Sequence, residues 1–200
     1  MSALALETQM DTLVKRMWPE AGASRMLRNV ALVAIGSLLL AAAAQITVPM
    51  WPVPMSGQTF AVLLIGMAYG ARLGMLTVLA YLFEGALGLP VFVGGTASLA
   101  ALAGPLGGYL VGFVLAAGLT GWLAQRGWGR NGTSTAIAML LGNVALYVPG
   151  LLWLSTFMHY DVSATLAAGL FPFVLGDLAK LLLATAAMPL AWRLLGESKR

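Results

Sequence analysis

The run "PFVLGDLAKLLLATAAMPLAW" (Pro172–Trp192) carries two charges, Asp177 and Lys180, in 21 otherwise uncharged residues. Its length is that of a helix crossing a bilayer, for which about 20 apolar residues suffice. Asp177 and Lys180 are three apart in sequence and therefore share one helix face. A charge at the centre of a bilayer costs about 2.5–3.5 kcal/mol on insertion scales, so such residues face a cavity or one another. The run thus reads as a membrane helix with a purpose for its two charges. Either they form a mutual ion pair near the interface, or they belong to a ligand site.

The rest of the chain agrees with a bilayer as solvent. Of 200 residues 60% are hydrophobic and 9% charged, with a mean hydropathy of +0.89, whereas soluble domains carry about 25% charged residues. Arg28 and Arg72 are separated by 43 residues without a formal charge, Glu84 and Arg126 by 41, and Arg130 and Asp161 by 30. The first two gaps each have room for more than one membrane segment. There is no cysteine, which removes disulfides, thiolate metal sites and a cysteine nucleophile.

Gly, Pro and Arg divide the apolar sequence into six segments, at 27–48, 58–71, 73–88, 106–124, 134–158 and 169–195. Six spans leave both termini on one side. That side collects Lys15, Arg16, Arg25, Arg28, Arg72, Arg126, Arg130, Arg193, Lys199 and Arg200, ten of the eleven basic residues. The loops 49–57, 88–105 and 159–168 hold none. Because basic residues favour the cytoplasmic side, the expected topology has both termini in the cytoplasm and these three loops outside the cytoplasmic (inner) membrane. The expected organisation is an N-terminal amphipathic interfacial segment at 1–26, a six-helix transmembrane domain at 27–195 and a cytoplasmic tail at 196–200. In the first of these, Leu6, Met10, Leu13, Val14 and Met17 recur at helical spacing among charged residues, as in a helix lying on a membrane surface.

Two of the outer loops are unusual. "PMWPVPMSG" (49–57) and "GLPVFVGGTASLAALAGP" (88–105) are apolar and broken by Pro and Gly. The second and third segments have about 15 residues each, roughly 22 Å at helical rise, short of a hydrocarbon core about 30 Å thick. The loops are therefore expected to dip into the outer half of the membrane. Non-helical backbone persists at that depth only where protein buries it or where it lines a cavity. The fold class expected is an all-α membrane protein with apolar outer loops over an outward-facing pocket.

Small residues suggest close packing, with Gly66, Gly70 and Gly74 spaced by four, and likewise Gly108 and Gly112. In the first segment Ser37, Ala41 and Ala42, within "SLLLAAAAQ" (37–45), offer a smooth face suited to docking another membrane subunit. The outer half also holds Trp51, Gln58, Tyr109, Asn143 and Tyr147, whose polar tips are candidates to converge with Asp177 and Lys180 around a small ligand. Asn143 and Tyr147 share a face of the fifth segment. Taken singly, each of them fits equally an interhelical hydrogen bond or an interfacial aromatic belt.

Other classes fit less well. An intramembrane hydrolase needs a nucleophile with a base or a metal cluster, yet the single histidine, His159, has only Asp161 beside it. A channel needs polar lining along its whole length, and the charge here is confined to one half. No Gly-x4-Gly-Lys-Ser/Thr loop is present, so this chain does not itself drive transport by ATP hydrolysis. The reading is of a membrane protein with a small-ligand pocket rather than an enzyme, with no metal, no cofactor and no nucleic-acid partner.

Four ordered motifs carry a resemblance: "PVPMSGQTFAVLLIGMAYG" (52–70), "YLFEGALGLPVFVGG" (81–95), "GPLGGYLVGF" (104–113) and "PFVLGDLAK" (172–180). Together they resemble the BioY family, the biotin-specific membrane subunits of energy-coupling-factor vitamin transporters. The resemblance covers the chain from about residue 28 onward. It implies a transport protein, a six-helix S component that binds biotin from outside with high affinity. It also implies partners: lipid, a transmembrane coupling subunit and two ATP-hydrolysing subunits, or a homo-oligomer acting without a dedicated set. Asp177 and Lys180 match the family's ligand-contacting motif. Leu106 and Ser56 stand where the family often has Thr, and no ligand contact is rested on them. Biotin offers two ureido N–H donors, a ureido carbonyl, apolar rings and a tail carboxylate. An Asp accepts from N–H and a Lys donates to a carbonyl, which favours the pair at the ureido head with Trp51 and the 88–105 loop against the ring. Lys180 on the tail carboxylate is the alternative pose, and an S-component-like subunit for another small vitamin is the alternative function.

Overall fold

The computed structural model describes residues 12–18 and 24–195. In chain order the helices are α1 (Leu13–Met17), α2 (Ser24–Gln45), α3 (Gln58–Tyr69), α4 (Ala71–Ala86), α5 (Leu99–Leu102), α6 (Gly107–Gln125), α7 (Gly132–Met158), α8 (Val162–Gly169) and α9 (Val174–Leu194). Two residues each of β1 (Thr47–Val48) and β2 (Met55–Ser56) pair antiparallel into a hairpin. Each of the six expected segments is occupied by one helix of 12 or more residues: α2, α3, α4, α6, α7 and α9.

Four helical stretches are long and apolar enough to cross a membrane, Arg25–Gln45, Gly107–Gln125, Gly132–Met158 and the run Val162–Leu194. At 12 residues α3 is shorter, about 18 Å at helical rise. A single residue separates it from α4: Gly70 at φ +84° ends α3, its N–H returning to the Gly66 carbonyl. Glycine tolerates this left-handed backbone, where a Cβ is strained.

Helix α6 lies at the centre, packed on α3, α4 and α7. The glycine series explains how backbones come so close. A Cβ on Gly66 would lie 2.2 Å from Thr120 Oγ1 and 2.6 Å from the Ala117 carbonyl oxygen, and one on Gly112 would lie 2.4 Å from the Leu146 carbonyl oxygen. The small residues are the contact surface itself.

Two elements add to the sequence expectation. The 159–168 connection is largely helical, as α8. His159 closes α7 in a left-handed conformation at φ +56°, and the Asp161 carboxylate caps α8 by accepting from the Ala164 N–H at 2.7 Å. That N–H, with the Ser163 hydroxyl, holds the Asp161 carboxyl below the usual carboxylate range. The second is α1, whose Leu13 and Val14 are buried in the bundle beside α3. Arg28 holds this part of the chain by donating to the Trp18 carbonyl at 2.8 Å. Leu6, Met10 and the 196–200 tail lie outside the described residues.

Candidate ligand cavity

The long connections gather at one end of the bundle, and two of them fold inward. Val53 is buried within the hairpin, and Gly57 N–H donates to the carbonyls of Ala43 and Ile46, at 3.1 and 2.9 Å. In the 88–105 loop, Phe92 is buried with its ring over Gly85, where a Cβ would lie 2.1 Å from the ring, and Ser98 N–H donates to the Gly85 carbonyl at 2.9 Å. Between these loops and α3, α6, α7 and α9 lies a partly open cavity, lined by side chains of all four helices and of both loops.

Most of its wall is apolar, supplied by Val53, Met55, Phe92, Leu110, Phe113 and Phe173 among others. The charge sits in one place. Asp177 is 9% exposed. Its Oδ1 accepts from Lys180 Nζ at 3.1 Å, and its Oδ2 accepts a short hydrogen bond from the Tyr147 hydroxyl. Lys180 Nζ also donates to Thr59 Oγ1 at 2.7 Å, across from α9 to α3. The pair is thus both a mutual ion pair and part of the cavity lining. Its helix comes close to the hairpin because Gly176 leaves room for Met55, whose sulfur would lie 2.3 Å from a Cβ there. Removing one member of such a buried pair leaves an uncompensated charge, a loss of about 3–5 kcal/mol.

Of the residues the sequence nominates, Asp177, Lys180, Gln58, Tyr109 and Tyr147 line the cavity. The Tyr109 ring meets Tyr147 edge-on at 6.1 Å, and its hydroxyl donates to the Gly169 carbonyl at 2.9 Å. Trp51 is not among them. It sits at the hairpin tip, 79% exposed, because its neighbours Pro52 and Val53 occupy the inward positions. Asn143 is buried outside the lining, and its Oδ1 has no hydrogen-bond partner among the described residues. The 88–105 loop does line the cavity, through Phe92, Val93, Thr96 and Ala101. Ser56 and Leu106, set aside in the sequence, also belong to the wall.

Thr59 is the residue that sequence reasoning missed. It stands 121 positions from Lys180, and a threonine inside an apolar helix carries no signal of its own beyond its place beside Gln58.

The docking face expected on the first segment is divided by the structure. Ser37 points inward, buried, and its hydroxyl bonds Glu84 at 2.8 Å. Ala41 is partly buried against the core, and Ala42 is exposed. Of the three only Ala42 faces outward, between the exposed larger side chains Leu38, Leu39 and Ile46.

Apolar helices around a cavity with one buried charged pair define a helical membrane protein. Its fold is shared with a crystallised S-component for biotin from an ECF-type ABC transporter, at a TM-score of 0.74 and 23% identity over 90% of this chain and 96% of that one. The chain belongs to the BioY family, whose sequence profile matches residues 10–197. Relatives include the "Probable biotin transporter BioY" of Pyrococcus horikoshii, 37% identical over 86% of this chain and 98% of that protein. Biotin transporter BioY2 of Lactococcus lactis is 35% identical over 80% of this chain and 87% of its own length. Biotin transporter BioY of Thermotoga maritima is also 35% identical, over 79% and 92%.

Proposed function

We propose that this chain binds biotin in the cavity and carries it across the cytoplasmic membrane as the substrate-specific subunit of an ECF-type transporter. In this reading all six long helices span the membrane, both termini are cytoplasmic and the cavity opens outward. The observation that carries it is the Asp177–Lys180 pair, tied to Tyr147 and Thr59, as the charged group of an otherwise apolar cavity, in a family whose relatives bear the name biotin transporter. A fused ring system needs such apolar walls, while the ureido group or the tail carboxylate needs the pair.

The Asp177 carboxylate accepts from ureido N–H groups, and Lys180 donates either to the ureido carbonyl or to the tail carboxylate. Both are charge-assisted bonds, about twice as strong as neutral ones. Energy for ATP-driven uptake comes from a transmembrane coupling subunit with two ATPase subunits; the alternative partner is further copies of this chain, acting without that set. The exposed Ala42 side of α2 is the proposed docking face: an apolar surface with one small residue, at which a partner helix can approach.

The identity of the ligand is tested by thermal unfolding of detergent-solubilised protein against a panel of vitamins. Biotin at a thousand times its dissociation constant should add about 4 kcal/mol of stability. A comparable gain from a different vitamin, with none from biotin, would overturn the assignment.

A further inference from the structure

Tyr81 of α4 touches no part of the cavity surface, yet it stands behind two of its walls. Its side chain is fully buried, 0% exposed. The hydroxyl accepts from Gln58 Nε2 at 2.6 Å and donates to the Val91 carbonyl at 2.9 Å. On the first side the link continues through Gln58 Oε1, which accepts from the Ser56 hydroxyl of the hairpin at 2.9 Å. On the second side Val91 precedes Phe92, whose ring meets the Tyr81 ring edge-on at 5.5 Å. Gln45 Nε2 also donates to the Phe92 carbonyl, at 3.1 Å. Ser56, Gln58 and Phe92 all line the cavity.

We propose that Tyr81 is a positioning residue: its hydroxyl fastens the 49–57 hairpin to the 88–105 loop through Gln58, so that the two walls over the cavity hold together and bound ligand is slow to leave. The inference rests on the cavity being the biotin site. A phenolic hydroxyl has one proton to donate and lone pairs to accept with, and here both directions are used, each toward a different loop. Take the oxygen away, and a buried amide N–H and a partly buried carbonyl lose their partner together. Such unpaired buried groups are costly, and the loops are relieved of that cost by separating and letting water in. Phenylalanine at 81 retains the ring packing on Phe92, so only the link is removed.

The test combines release kinetics with a distance measurement. Wild-type protein and Tyr81→Phe, full length in detergent, are loaded with labelled biotin and chased with unlabelled biotin. Release should quicken by about tenfold, with a smaller change in association. The same substitution on a Gln58→Met background should add little, because that background has already cut the link. Spin labels at Trp51→Cys and Leu99→Cys, two exposed positions on the two loops in a chain without other cysteines, should give a narrow distance distribution in the wild type. It should broaden in Tyr81→Phe. If Tyr81→Phe does not fold, Gln58→Met in the labelled chain breaks the same link and should broaden the distribution equally. Lower thermal stability with unchanged release and an unchanged distance distribution would reduce Tyr81 to a packing residue and overturn the proposal. Absence of biotin binding by the wild type would overturn the reading of the cavity, while the distance measurement still decides whether Tyr81 joins the loops.

Discussion

The two ends of the helix bundle are built from the same helices and reach opposite outcomes. At one end the connections are minimal: Gly70 alone joins α3 to α4, and the turn 126–131 joins α6 to α7. Basic side chains there rest on aromatic rings, Arg126 over Trp122 at 3.4 Å and Arg130 over Trp192 at 4.9 Å from the ring centroid. At the other end the connections 46–57, 87–106 and 159–173 are long and contain no lysine or arginine, and the first two fold inward. Short polar turns close a bundle. Long apolar connections beside a short α3 leave a space that they only partly fill, and the Asp177–Lys180 pair lies in that space.

The two ends should differ in their response to labelling and to substitution, by effects of unequal size. The largest is all-or-none. In intact cells, cysteines at the exposed positions Thr96 and Ser163 should react with an impermeant thiol reagent, while one at Thr133 should remain unlabelled. Labelling of all three would refute an arrangement with the two ends on opposite faces of the membrane.

Next is packing. Gly112→Ala places a Cβ 2.4 Å from the Leu146 carbonyl oxygen, and overpacking of this kind costs about 1–3 kcal/mol. It should lower the melting temperature measurably. By contrast Leu99→Ala, on an exposed side chain of the loop end, should change stability by no more than about 0.5 kcal/mol. Equal effects would mean that the loop end is packed as tightly as the bundle interior.

The smallest expected effect on binding comes from Ala42→Trp on the outer side of α2. Binding by the purified variant should match the wild type, while uptake by cells falls, because close approach of a partner is lost. Loss of both in a protein that inserts normally would remove the docking face from the account.

Much of this was legible in the sequence. Each of the six apolar segments holds a helix, four of the stretches long enough to span, because glycine, proline and arginine mark where apolar runs stop. The short 58–71 segment announced apolar loops folded inward, as a short helix leaves hydrocarbon depth to be filled by something else. Asp177 and Lys180 were legible because charge stands out in such a background. What escaped was polarity that depends on partners distant in sequence. Thr59 meets Lys180, Tyr81 meets Gln58 and Val91, and Ser37 meets Glu84. A hydroxyl on an apolar helix has the same local signature whether it faces lipid, a cavity or another helix. Trp51 escaped for another reason: it lies in the tip between the two short strands, where no alternation fixes which side chains turn in, and Pro52 and Val53 take the inward place. Helix α8 escaped because its short apolar run reads equally well as a loop resting at an interface.

The central claim is that the buried pair binds biotin, and calorimetric titration of the wild type, Asp177→Asn and Lys180→Met with biotin and with tail-amidated biotin tests it directly. Truncating one partner of a buried charged hydrogen bond costs about 2–5 kcal/mol, so each variant should bind biotin about 30- to several-thousand-fold more weakly. With Lys180 at the ureido carbonyl, Lys180→Met weakens biotin and its amide by similar factors. With Lys180 at the carboxylate, the loss for biotin exceeds that for the amide by about 2 kcal/mol or more. Folded Asp177→Asn and Lys180→Met proteins that bind biotin as tightly as the wild type would contradict the account.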